Sequence, residues 1–312
     1  MAEIDALLPE DVYEVLVSYR DVLRSYADGI NELNVFPVPD ADTGTNMAAT
    51  MDVVVDALEG EAEDFSRLSA ALKRGALQGA RGNSGVILSQ AFIGLADVVG
   101  ELGQIDSGQL AAALLAASKE ADTAMAEPVE GTMITVIRDA ALGASRATEN
   151  GADLGQVLRA ASDAGLESLD RTPDLLPVLR EHGVVDAGGA GYVLLLDVMT
   201  SHVTGRPLDE IAAPERVIAS EPEHGTFGHR GPRYEVMFLL QADPDGVEKL
   251  RKRWRDLGDS IAIAGGSDGL WSCHIHTGDV GAAIEACIDL GSPRQISVTD
   301  LARQVREAVL DE

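Results

Sequence analysis

Leu33-Asn34-Val35-Phe36-Pro37-Val38-Pro39-Asp40-Ala41-Asp42-Thr43-Gly44-Thr45-Asn46-Met47 is the stretch on which the reading of this 312-residue chain turns. Pro37 and Pro39 fix φ and stiffen the approach, leaving Asp40 and Asp42 just ahead of a helical pattern. In an extended segment that spacing sends both carboxylates to one side of the backbone. Two carboxylates held close repel, and a divalent cation relieves the repulsion. Gly44, Thr45 and Asn46 then open a helix whose first amides favour an anion, so hard cations beside phosphate-ready amides describe a Mg-nucleotide site. The two aspartates also suit plain caps for a helix beginning near Thr45, and spacing alone does not separate the readings. An EF-hand fits badly, because Gly44 falls at the third ligand position and Met51 at position twelve.

Three further loops carry related chemistry. In Gly79-Ala80-Arg81-Gly82-Asn83-Ser84-Gly85, small residues ahead of an apolar helix let backbone N–H groups approach a phosphate, or simply cap the helix. Arg81 is the one cation beside that loop, either a clamp on a transferring phosphoryl group or a surface ion-pair partner. Thr132 and Met133 could line an adenine pocket, although Met133 suits a core equally well. Asp186, with Gly188 and Gly189, suits a tight loop against ribose or phosphate, or a helix cap. No Gly-x4-Gly-Lys-Ser/Thr run occurs, so magnesium would have to meet most of the charge of a bound triphosphate.

Around these loops the first two thirds of the chain reads as helix. Glu10–Gly29, Arg67–Gln78, Gly85–Val99, Ser107–Ala126, Thr132–Thr148, Asp153–Asp170 and Ala190–Thr204 carry apolar residues at three- and four-residue spacing. Their Ala-rich faces suit close antiparallel packing. Residues 205–232 hold four prolines and four glycines without apolar period and read as a linker. The period then changes: Tyr234–Gln241 alternates, Asp245–Leu257 is helical, and Ser260–Ala264 and Leu270–His276 flank a Gly-rich turn. A helix Asp279–Leu290, a strand Gln295–Val298 and a helix from Thr299 follow. The order β-α-β-β-α-β-α is the split βαβ, ferredoxin-like arrangement with a tail helix. The expected fold is therefore multidomain α and α+β: residues 1–204 all-α, 205–232 linker, 233–312 α+β.

The chain carries 24 Lys+Arg against 52 Asp+Glu, a formal net charge of −28, and only four lysines. Little cation is available for a nucleic-acid or anionic-membrane surface. Residues 225–312 hold ten basic and fourteen acidic side chains, net −4, so −24 lies on residues 1–224. Two cysteines make no disulfide framework, and Met1-Ala2-Glu3-Ile4-Asp5 lacks the order of a signal peptide; a cytoplasmic location is expected.

In the second part, Cys273-His274-Ile275-His276-Thr277 lies on a strand whose period of two sends His274 and His276 to one face and Cys273 to the other. In a split βαβ sheet this strand neighbours Tyr234–Gln241, so Glu235, His274 and His276 could meet on the helix-free face as a Zn²⁺ set. Two solvent-exposed histidines are the alternative.

The Leu-Asn-Val-Phe-Pro-Val-Pro-Asp-x-Asp-Thr-Gly-Thr-Asn-Met run, Gly79–Gln90, Glu130-Gly131-Thr132-Met133 and Val184-Val185-Asp186-Ala187-Gly188-Gly189, in that order, resemble the nucleotide-site segments of the DhaL-type kinases. The likeness is greatest to the catalytic chains of fatty acid kinases, and it covers essentially the whole chain. It implies an eight-helix antiparallel barrel with ATP and two magnesium ions at one end. Asp40, Asp42 and Arg81 would be catalytic, with Asp40 and Asp42 as metal ligands. Thr43, Gly44, Thr45, Asn46, Gly82, Asn83, Ser84, Gly85, Thr132, Met133, Asp186 and Gly188 would hold the nucleotide. A third family magnesium ligand, a carboxylate, falls near Asn34, where this chain offers a neutral amide as the candidate third ligand; Ala41 replaces a common Gly, costly where φ is positive. Glu235 stands where a Cys completes the middle-domain metal site of the fatty acid kinase branch. The activity implied is ATP-dependent phosphorylation of a fatty acid held by a separate binding protein, feeding phospholipid metabolism, in a homodimer. The rivals are a glycerone (dihydroxyacetone)-type kinase and a non-catalytic ATP- or metal-binding regulatory scaffold. Family chains continue into a third domain beyond the position matching Glu312, so this chain reads as one domain short.

Overall fold

The computed structural model describes residues 4–208, 231–265 and 268–310; residues 209–230, most of the expected linker, lie outside the described residues. The helical part comprises α1 (Pro9–Glu32), α2 (Thr43–Leu58), α3 (Phe65–Gly79), α4 (Gly82–Val99), α5 (Ser107–Ala124), α6 (Met133–Glu149), α7 (Leu154–Asp170), the short α8 (Thr172–Leu175) and α9 (Pro177–His182), and α10 (Ala187–Thr204). Each long helix packs on the next, and α10 closes the ring against both α7 and α1, giving the expected eight-helix barrel.

Local chemistry sets these elements. In α1, Pro9 opens the first turn, Asp11 accepts from the Leu8 amide at 2.7 Å, and Val12, Val15, Leu16, Tyr19 and Leu23 form the buried stripe. Reciprocal bonds between Asp106 and Gln109, and between Asp153 and Gln156, start α5 and α7 as capping boxes. The barrel interior runs from Leu7 to Val203 in one continuous apolar cluster. Tyr19 crosses it to donate to the Gly191 carbonyl at 2.9 Å, tying α1 to α10. Among the described residues, one helix, Gly82–Val99, is long and apolar enough to cross a membrane; 72% of it is buried inside the protein.

Helices α4 and α10 each begin three residues earlier than their periodicity indicates. The Gly82–Gly85 and Ala187–Gly189 segments are first turns of α4 and α10 rather than loops ahead of them. Small residues hide an amphipathic signal that depends on side chains, so the pattern is legible only after them.

The α+β part follows the expected order: β1 (Tyr234–Gln241), α11 (Pro244–Trp254), β2 (Gly258–Gly265), β3 (Leu270–Thr277), α12 (Val280–Glu285), β4 (Ser292–Asp300) and α13 (Leu301–Leu310). The sheet is antiparallel in the order β2-β3-β1-β4, with β1 and β3 central. Helix α12 is shorter than Asp279–Leu290, because Cys287 and Ile288 donate back three residues and tighten the chain into turns. Val236, Phe238, Leu240, Ile263, Cys273 and Ile275 form a second core with Trp254 of α11.

The opposite face differs from expectation. It is not open to solvent. Met237, Ala262 and Ala264 pack on Ala80, Val86 and Ala124 of the barrel. Met125 bridges to Ala262, and Arg251 donates to the Ile263 carbonyl and to that of Thr123 at 3.3 Å. The sheet thus lies across one end of the barrel.

Candidate functional site

Because neighbouring helices alternate in direction, α2, α4, α6 and α10 all begin at the end of the barrel that the sheet covers. Their first turns line one cavity of about 410 Å³. Thr43 and Asn46 come from α2, Gly82–Ser84 from α4, Thr132–Ile134 from the start of α6, and Asp186–Gly188 from the start of α10. A helix N-terminus carries about half a unit of positive charge, so four that converge favour an anion between them. The side chains have the opposite sign. Asp40, Asp42, Glu127, Asp186, Glu235 and Asp259 line the cavity, and among the described residues no Lys or Arg does.

The loop that carries Asp40 and Asp42 is braced from within. Asn34 donates to the Val38 carbonyl at 2.6 Å and to Asp40 Oδ1 at 3.2 Å, and its Oδ1 accepts from the Thr43 hydroxyl. With its amide committed to those bonds, Asn34 acts here as the brace of the loop. The Phe36-Pro37 peptide is cis. Ala41 takes φ 53°, the left-handed conformation where a side chain costs about 1 kcal/mol more than glycine. Asp42 occupies the cap position of α2 without making a side-chain cap bond, so capping does not account for it. Burial, the neighbouring Asp42 and then Glu235 hold Asp40 well above the usual carboxylate range. Burial raises Asp42 as well, against hydrogen bonds from Gln304 and Asn46 that pull it down. Two buried carboxylates that each resist ionisation are matched to a divalent cation, which favours both charges.

The remaining loop residues divide. A side chain at Gly82 (φ +57°) would put its Cβ 2.5 Å from Asn46 Nδ2, so glycine here keeps the α4 backbone against the α2 N-terminus. Asn83 Oδ1 is buried without a hydrogen-bond partner beside that turn, an acceptor left for a ligand. Thr132 and Met133 both line the cavity. Asp186 lines it too, but as the cap of α10, accepting from Gly189 at 2.7 Å; burial raises it to about 6. Gly44, Thr45, Gly85 and Arg81 are not brought to the cavity wall. The Gly44 and Thr45 amides donate to Asn31 Oδ1, Gly85 packs against Thr50, and the exposed Arg81 donates to the carbonyls of Gln78 and Ala80.

From the sheet side, Glu235 and His276 line the same cavity, and His274 stands behind them. His274 and His276 are 0% and 3% exposed, which excludes the solvent-exposed alternative. His274 Nε2 lies 3.0 Å from Glu235 Oε2, and its Nδ1 lies 2.9 Å from the Ser260 carbonyl. The ligand atoms of Glu235, His274 and His276 all fall within 4.8 Å of one another, a set that could hold a metal ion. Burial pushes Glu235 up, but the His274 hydrogen bond and the two imidazoles outweigh it and hold the carboxyl below its usual range. Cys273 is buried on the other face, where burial raises its thiol, so it takes no part.

Sequence reasoning missed Met125, Glu127 and Val129 between α5 and α6, Asp259 and Ser260 on β2, and Gln304 on α13. Only Ser260 carries a local oddity, a positive φ of 50° at a register shift between β2 and β3, and no sequence motif announces it.

Comparison with known proteins agrees with this geometry. Residues 37–201 match the DAK2 domain, and residues 231–308 match the FakA-like middle domain of the fatty acid kinases. Protein YloV of Bacillus subtilis (strain 168) is 33% identical over 304 residues, covering 93% of this chain and 55% of that protein. An uncharacterized protein of Staphylococcus haemolyticus (strain JCSC1435) is 32% identical over 310 residues, covering 96% and 56%. One from Staphylococcus aureus (strain USA300) is 31% identical over 310 residues, with the same coverage. The chain thus spans about half the length of these curated relatives. Asp40, Asp42, the sheet and all of the described cavity lining but Asn34 and Phe36 occur within the matched segments, and the chain belongs to the DAK2-domain family, in its branch with a FakA-like middle domain.

Proposed function

We propose that the chain is an ATP- and Mg-dependent phosphotransferase of the fatty acid kinase type. It moves the γ-phosphoryl group of ATP to the carboxylate of a fatty acid held by a separate binding protein, leaving ADP and an acyl phosphate. The observation that carries this reading is the convergence of four helix N-termini on a cavity whose charged lining is entirely acidic among the described residues. Backbone amides favour the phosphates, yet the carboxylates repel them unless divalent cations intervene. Asp40 and Asp42 are the residues that would hold magnesium, and Gly82, Asn83 and Ser84 face the phosphates. Thr132 and Met133 would border the base. Magnesium, when bound, neutralises the phosphate oxygens and orients the γ-phosphoryl group.

A fatty acid carboxylate is already ionised at neutral pH, so the acceptor needs no general base. What the protein must supply is alignment and charge balance, and the lining is built for both. The match of residues 231–308 to the fatty acid kinase middle domain supports a carboxylate acceptor over a small polyol. Glu235, His274 and His276 would hold Zn²⁺ at the phosphate end of the cavity, with residues 1–204 and 233–312 acting as the two domains. The test is hydroxylamine trapping of acyl phosphate from the chain, Mg-ATP and a fatty-acid-loaded binding protein. Trapped product is expected with wild type and absent with Asp42→Ala; equal rates from the two would end the assignment.

A further inference from the structure

Gln304 lies on α13, 262 residues after Asp42, and its side-chain Nε2 donates to Asp42 Oδ2 at 2.7 Å. We propose that Gln304 is a positioning residue that holds the metal-loop carboxylate of Asp42 and makes cation binding depend on the seating of α13. The proposal rests on Asp42 being a magnesium ligand.

The seating is built by the β1–β4 ladder. Glu235 pairs with Thr299 and Tyr234 with Asp300, and the chain turns directly from β4 into α13. Arg233 fixes that corner through its carbonyl, which accepts from the Leu301 amide at 2.9 Å, and through its ion pair with Asp300 at 2.6 Å. Leu301 and Val305 then bury themselves against Val38, inside the Phe36–Pro39 approach to the metal loop. Gln304 adjoins Val305 on the same helix and reaches the carboxylate from that seat.

The chemistry of the amide separates a positioning role from a stabilising one. A carboxylate only accepts, so the amide turns its NH₂ end toward Asp42. That leaves Gln304 Oε1 buried without a hydrogen-bond partner. An apolar side chain of similar length removes that unsatisfied acceptor but also takes the bond from Asp42 Oδ2, so the two effects on stability oppose each other. One oxygen of Asp42 is fixed by the amide, and the carboxylate's rotation is restricted with it. A cation then meets a ligand already oriented.

The experiment titrates Mg²⁺ into the full 312-residue chain with a non-hydrolysable ATP analogue, followed by calorimetry, alongside thermal melts without metal. Three proteins are compared: wild type, Gln304→Met and Asp42→Asn. Gln304→Met is expected to raise the half-saturating Mg²⁺ concentration roughly tenfold while its melting temperature stays close to that of wild type. A half-saturation within twofold of wild type overturns the proposal, and so does a loss of melting temperature matched by the loss of affinity, which is what a packing role gives. Asp42→Asn reports on the reading beneath it. If that variant binds Mg²⁺ as wild type does, Asp42 is no ligand and both statements fall; if it weakens binding and Gln304→Met does not, the proposal alone fails.

Discussion

The barrel and the sheet each bring buried carboxylates to one cavity, and they treat them in opposite ways. On the barrel side, Asp40 and Asp42 stand beside each other, and burial raises both. On the sheet side, Glu235 is buried too, yet His274 at 3.0 Å holds it below its usual range. Burial is common to both; the nearest partner decides the sign. The sheet carries its own compensating groups, whereas the barrel leaves a deficit that an added cation must fill. On the proposed function, a cavity with one such side and one self-compensated side would take in a metal-nucleotide complex in preference to a bare anion.

The largest effect should come from removing a carboxylate on the uncompensated side. Asp40→Asn is expected to lower phosphoryl transfer by roughly a thousandfold, comparable to losing a principal electrostatic group in an active site. The metal-free protein should be no less stable, since one of two repelling charges has gone. A rate within tenfold of wild type in the acyl phosphate assay would break the distinction between the two sides.

Next in size is the loss of the sheet's compensation. His274→Ala leaves Glu235 buried and without its imidazole partner, and should cost about 3 kcal/mol in urea denaturation of metal-free protein. Zinc content of protein purified without a His-tag should fall in parallel. Equal metal content in variant and wild type would remove the proposed Zn²⁺ site while leaving the ion-pair reading to the denaturation curves.

The third and smallest effect tests whether burial alone, away from the cavity, acts as it does at Asp40. Asp197 on α10 is 4% exposed and accepts from Ser162 Oγ at 2.6 Å; burial, with Asp163 nearby, raises it from 3.8 to about 6. Between those values the folded protein keeps a proton that the unfolded chain has released. Stability therefore falls as pH rises through that window and is fullest below it. Asp197→Asn should be more stable than wild type by about 2 kcal/mol above pH 7 and indistinguishable near pH 3, with magnesium changing neither figure. A pH-independent difference between the two melting curves would show that Asp197 does not titrate with folding.

Much of the site was legible because its signals are local. The Pro-Val-Pro-Asp-Ala-Asp spacing placed two carboxylates ahead of a helix, and alternation on two strands placed Glu235 with His274 and His276 on one face. What that face meets was not legible. Its histidines looked equally suited to solvent, since period two reports sidedness and not what covers the side. Arg81 shows the converse: proximity in sequence to the phosphate loop suggested a clamp, but its guanidinium turns to the carbonyls of Gln78 and Ala80.

The sequence by itself determined the run of helices, the β-α-β-β-α-β-α order and the acidic character of the Asp40–Asp42 loop, because each follows from periodicity and residue type within a few turns of chain. Only the tertiary structure decided that four helix starts share one cavity, that the sheet covers it, and that Gln304 reaches Asp42. Such contacts join residues up to 262 positions apart. They are selected by packing of whole elements, and no local repeat in the chain encodes which distant partner will arrive.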